Sequence, residues 1–136
     1  MSRIKCRVAS KEALTHLKFI RHKKQEYFVC FSLDSNGRLI KRRVVTIGLL
    51  DASLVHPRET FVGPLKDRAA AVIIAHNHPS GQTEPSSEDV KTTQQLVAAG
   101  QILGIPLYDH LIVTASEHYS FRENGLVLSI SMHLEV

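Results

Sequence analysis

Apolar residues recur every three or four positions near the start of the chain and in short continuous runs afterwards. Ala13, Leu17 and Ile20 form one stripe with Leu14 beside it, which predicts a helix capped by Ser10 and running to about His22. Lys18, His22 and Lys23 fall off that stripe and are expected to face water. Glu26 then opens EYFVCFSLD, an aromatic and apolar run that reads as a buried strand. Ser35-Asn36-Gly37 is a turn signal, and Arg38 to Ile47 reads as the return strand of a hairpin ended by Gly48. Arg42 and Arg43 are neighbours on that strand, so their side chains must point to opposite faces.

Pro57 is placed as the first residue of a helix to about Arg68, with Pro64 expected to kink or shorten it. Ala71 to Ala75 (AVIIA) is continuously apolar, as a strand covered on both faces should be. A loop, His76-Asn77-His78-Pro79-Ser80-Gly81, follows. Ser86 starts another helix with Asp89 three residues later, in the manner of a capping box. Val90, Leu96, Val97 and Leu103 carry its apolar positions, and Gly100 and Gly104 are its expected stops. Tyr108 to Ala115 reads as a further strand, followed by a short one around Tyr119 to Phe121 and an apolar tail from Leu126 to Met132. Helices interspersed with apolar strands predict an α/β domain with a mixed sheet flanked by helices.

The length of 136 residues suits a single domain spanning the chain. With 43% hydrophobic and 22% charged residues, the composition is globular, not disordered. The start, MSRIKCRVASK, has neither the apolar core nor the cleavage site of a signal peptide, and no apolar run approaches the roughly 20 residues of a membrane helix. Cys6 and Cys30 lack the paired spacing of a Cys-based zinc site and read as free thiols. A cytoplasmic location without membrane contact is expected. The charge, a net +4, is uneven: residues 1–68 hold 15 basic and 6 acidic residues, whereas residues 69–136 hold 2 and 7. The +9 half raises an anionic partner, nucleic acid included, as a question.

The chemistry concentrates in His76, His78, Pro79, Ser86 and Asp89. Histidines at i and i+2 where a strand ends project from the same side and can reach one ion. Asp89, on the first turn of the next helix, can be brought back by the loop to add a carboxylate oxygen. Two His and one Asp suit zinc, and three protein ligands leave a fourth position for water. An ion so held lowers the pKa of that water to about 7 and can polarise a carbonyl. Alone, a histidine is usually solvated and a Ser-x-x-Asp pair is usually a cap. Five specified residues at fixed spacing, however, arise by chance with odds on the order of 10⁻⁴, at about 5% usage per residue type.

The pattern His76-x-His78-Pro79-x6-Ser86-x2-Asp89 resembles the signature of the JAMM (JAB/MPN) metalloproteases, and HNHPSG…PS.ED is similar to their RadC-like branch. Val55 to Glu59 (VHPRE), AAVIIAHNHPSG, Tyr108 to Val113 (YDHLIV) and the closing YSF…G at Tyr119 to Phe121 and Gly125 also resemble that branch, which extends the likeness from Glu26 to about Gly125. The resemblance implies a JAMM/cytidine deaminase-like fold and one zinc per chain on His76, His78 and Asp89. It implies Glu26 as general base and then acid toward the leaving amine, with Ser86 bonding the attacking water or the developing oxyanion. Glu59, Glu84 and Glu88 are rivals to Glu26 by distance along the chain. The implied activity is metallopeptidase-like hydrolysis of an amide, peptide or isopeptide bond in a peptide or protein substrate.

A second expectation is a nucleic-acid-associated module in repair or mobile-element biology, with the metal site secondary. It rests on the basic front half and on the RadC likeness, although the helix-hairpin-helix region usual ahead of such domains is not expected in the few residues before Ser10. Few aromatics (6%, no Trp) leave little for stacking on single strands. Nucleoside deamination is excluded, since it needs His-x-Glu and Pro-Cys-x-x-Cys, and neither occurs. His110, next to Asp109, is expected to be structural or to support the site.

Overall fold

Every residue of the strand Ala71–Asn77 (β3) is buried, and this strand is the middle of the sheet. The computed structural model describes residues 9–48 and 55–127. In chain order these form α1 (Ala9–Thr15), β1 (Tyr27–Leu33), β2 (Leu39–Ile47), α2 (Pro57–Lys66), β3, α3 (Ser87–Leu103), β4 (Leu107–Val113) and β5 (His118–Ser120). The sheet order is β2-β1-β3-β4-β5. β1 runs antiparallel to β2 and β3, β3 parallel to β4, and β4 antiparallel to β5. The parallel β3–β4 pair needs a crossover, and α3 supplies it. This is the expected α/β domain with a mixed sheet.

Alternation along β1 sends side chains into two cores. Val29, Phe31 and Leu33 meet Ala13, Leu17 and Ile20 on one face. Phe28 and Cys30 meet Phe61 of α2 and Leu96 and Val97 of α3 on the other. Arg42 and Arg43 do point apart. Arg42 lies 4.2 Å over the Phe19 ring, whereas Arg43 binds Asp67, the last cap of α2, through two hydrogen bonds. Burial pushes the Cys30 thiol up to about 12, so it is an inert core residue. Cys6 lies outside the described residues, as does the apolar tail beyond Val127.

The structure corrects several local expectations. The first helix ends at Thr15, not His22: the Thr15 hydroxyl bonds the Glu12 carbonyl at 2.7 Å and the chain tightens into three-residue turns. The apolar stripe survives that tightening, and Leu17 and Ile20 stay buried. Ser10 is not a cap, because it sits within α1 and its hydroxyl donates to Asp109 at 2.6 Å. α2 passes through Pro64 to Lys66 and stops as Arg68 turns left-handed (φ 53°). Gly100 does not stop α3. It allows close approach instead, since a Cβ there would lie 2.5 Å from the Ile105 carbonyl oxygen. Gly104, left-handed at φ 73°, is the stop. Leu103 is 42% exposed and is not one of the buried apolar positions of the helix. β4 ends at Val113 because Thr114 turns the chain by bonding Glu117, and β5 begins one residue early, at His118.

Candidate metal centre

β3 runs two residues beyond the apolar segment, so His76 and Asn77 are strand residues and not loop. His76 pairs with Phe28 on one side and Ile112 on the other. That double pairing places a fully buried imidazole at the end of the central strand. His78 follows at the strand exit, and its Nε2 lies 2.9 Å from His76 Nε2. The His78 ring is fixed from behind, with Nδ1 2.7 Å from the Gln82 carbonyl oxygen. A carbonyl only accepts, so Nδ1 carries the proton and Nε2 keeps its lone pair in the neutral ring.

Asp89 reaches the same point from α3. Ser86 is the N-cap, and the capping box is present: Asp89 N–H donates to Ser86 Oγ at 3.1 Å and Ser86 N–H donates to the Asp89 carboxylate at 2.8 Å. The box fixes the carboxylate with Oδ1 3.1 Å from His76 Nε2 and Oδ2 3.1 Å from His78 Nε2. Burial alone would raise the Asp89 pKa, but N–H donation from His76 and His78 in their protonated forms holds it well below the usual carboxylate range. The same bond to Asp89 raises His78 against the effect of its burial.

The donor set fits a metal cation. Ligand atoms about 2.0–2.1 Å from a tetrahedral zinc are roughly 3.3 Å apart, close to the 2.9–3.1 Å separations here. Two imidazole nitrogens and a carboxylate crowded together offer lone pairs to one point, an arrangement that a cation or a shared proton must neutralise.

A cavity of about 630 Å³ opens over this point, lined among others by Glu26, His78, Ser86 and Asp89. Glu26 stands one residue before β1, is half-buried, and its charge helps to raise the His78 pKa. Of its rivals, Glu84 and Glu88 also line the cavity. Glu59 does not, and pairs with Arg58 on the exposed face of α2. The HPRE segment has a local role: His56 caps α2 by accepting the Arg58 N–H, and Pro57 is its first residue.

Two supporting residues, Asn77 and Thr93, were not assigned a role by the sequence, and a third, His110, was expected to be structural or to support the site. Asn77, between the two histidines, points away from them and holds the segment before β1, accepting from Tyr27 N–H at 2.7 Å and donating to Gln25 O at 2.9 Å. His110 Nε2 lies 2.8 Å from His76 Nδ1, and its Nδ1 lies 2.6 Å from Thr93 Oγ1. Burial holds His110 well below its ordinary pKa. The signals were present but faint: period-two alternation for Asn77, and an i, i+4 relation between Asp89 and Thr93. Asp109, also fully buried, accepts from the hydroxyls of Ser10 and Ser120 and from the N–H groups of His110 and Arg122. Its role is structural.

Among the described residues, no helix is long and apolar enough to cross a membrane. The family model for the RadC-like JAB domain matches residues 8–126. A UPF0758 protein of Methanospirillum hungatei is 53% identical over 103 residues, which is 76% of this chain and 46% of that relative. A UPF0758 protein of Bacillus licheniformis is 47% identical over 106 residues (78% and 47%), and one of Methanococcoides burtonii is 40% identical over 125 (90% and 55%). The chain thus spans about half the length of the curated relatives it matches. With a family model over most of its length and a His-His-Asp group able to hold a metal, the chain belongs to the RadC-like JAB domain family.

Proposed function

We propose that the chain is a zinc-dependent hydrolase that cleaves an amide bond, peptide or isopeptide, in a peptide or protein substrate. The observation that carries this reading is the convergence of His76, His78 and Asp89 under a cavity that Glu26 and Ser86 also line. His76, His78 and Asp89 would hold the ion, which when bound supplies a Lewis acid that polarises a carbonyl and acidifies a water. Glu26 takes a proton from the attacking water and hands it to the leaving amine. Ser86 Oγ accepts the Asp89 N–H in the capping box, which leaves its own hydroxyl proton for donation to the developing oxyanion.

Several cations of the basic front half are engaged within the fold. Arg21 donates to the carbonyls of Thr114 and Glu117, Arg42 lies on Phe19, Arg43 binds Asp67 and Lys23 sits over Tyr27. The reading is tested by Glu26→Gln in the zinc-loaded chain, assayed on a panel of peptide and isopeptide substrates. Zinc should be retained and turnover should fall by roughly 10²–10⁴-fold, the range for loss of a general base. Turnover at the wild-type rate removes Glu26 from this role. Failure of the wild type to cleave any amide in the panel counts against the hydrolase itself.

A further inference from the structure

The hydroxyl of Thr93 has one proton and gives it to the carbonyl oxygen of Asp89, one turn earlier on α3, at 2.8 Å. A carbonyl only accepts, so the direction of that bond is fixed. Thr93 Oγ1 then meets His110 Nδ1 at 2.6 Å with only lone pairs to offer, and Nδ1 must carry the ring proton. His110 is fully buried, stacked on Phe121 at 4.4 Å and edge-on to Phe28 at 6.2 Å. Such surroundings favour the neutral ring, which makes Nε2 an acceptor. His76 Nδ1, 2.8 Å away, is the donor to it. His76 Nε2 is thereby left bare, and it is the nitrogen that faces His78 and Asp89.

We propose that Thr93 and His110 are positioning residues: a one-way chain of hydrogen bonds from His76 through His110 and Thr93 to the Asp89 carbonyl locks His76 in the tautomer whose Nε2 can bind a cation. If the chain ran the other way, an N–H of His76 would point at the His78 nitrogen and a metal would have to displace that proton. The chain also joins two proposed ligands on different elements. It starts on the β3 imidazole and ends on the backbone of the α3 aspartate, so one hydroxyl sets the His76 tautomer and braces the turn that carries Asp89. His78 reaches the same tautomer separately, through the Gln82 carbonyl.

The inference rests on the metal reading, and its test separates the two. Zinc affinity is measured by competition with a chelating dye for the full chain, Thr93→Val and Thr93→Ser. The ¹⁵N imidazole spectrum of the metal-free chains reports the His76 tautomer. Thr93→Val keeps the shape and removes the hydroxyl. It should weaken zinc binding by about 10–100-fold, as loss of a partner behind a ligand does, and mix the His76 tautomers. Thr93→Ser should restore both. Wild-type affinity and an unmixed tautomer in Thr93→Val overturn the inference while leaving the metal reading standing, even if thermal stability drops. A wild-type chain that binds no zinc overturns both.

Discussion

Asn77 Oδ1 accepts the backbone N–H of Tyr27 at 2.7 Å, so a side chain between the two histidines fixes the residue next to Glu26. Its amide also donates to the carbonyls of Gln25 and Lys23, at 2.9 and 3.3 Å. One side chain thus sets the approach of the proposed base to the proposed ligands. Asn77→Ala should keep zinc binding within about threefold, yet lower the hydrolysis rate by about 10- to 100-fold, the cost of misplacing a reacting group by roughly 1 Å. Kinetics beside metal content decide it: equal turnover shows that Glu26 is placed without the clamp.

Asp109 accepts four hydrogen bonds while wholly buried, from Ser10, Ser120, His110 and Arg122. They tie α1 and the segment after β5 to β4, and burial, which raises the carboxyl pKa, works against them. Asp109→Asn turns an acceptor-only group into one with two N–H donors facing existing donors. A loss of about 1–3 kcal/mol in urea unfolding is expected. A midpoint and slope equal to wild type contradict it.

The Asp67 carboxyl is held at about 2, chiefly by its bonds with Arg43 and with help from Ser32. A carboxylate depressed in the folded state stabilises fully above its unfolded pKa of about 3.9 and loses that contribution as pH falls through the folded value. The difference in stability between wild type and Asp67→Asn should therefore be constant above pH 5 and shrink toward pH 2. Its plateau should be about 1–2 kcal/mol, after discounting for solvent around the half-buried Arg43. Parallel curves over that window rule the contribution out.

Gly100→Ala pits helix propensity against packing. Alanine is favoured over glycine by about 1 kcal/mol within a helix, but its Cβ would sit 2.5 Å from the Ile105 carbonyl, backbone that already bonds inside this turn. Packing should win, with a net loss of about 1–2 kcal/mol by thermal unfolding. A stabilised variant shows that the turn yields freely.

Strong local signals translated well into structure. The AVIIA run, the Asn36-Gly37 hairpin, Pro57 at a helix start and the Ser86/Asp89 box each carry their own short-range physics, and each formed as expected. The proposed ligands lie within 13 positions along the chain, on a strand end and a capped helix that the pattern already suggested. Where partners are distant, the sequence misled or stayed silent. Ser10 has the features of a cap, and only the fold reveals that Asp109, 99 residues away, takes its hydroxyl. Gly100 reads as a helix stop until Ile105 is seen folding back over it. Thr93 and His110 gain a role only because β4 lies beside β3.

The most direct test of the account is the metal content of the purified chain after zinc reconstitution, for wild type and for His78→Ala and Asp89→Ala. The account predicts close to one zinc per wild-type chain and a loss of at least tenfold in affinity for either variant. A wild type that holds no transition metal, or variants that hold it as tightly as wild type, would contradict it.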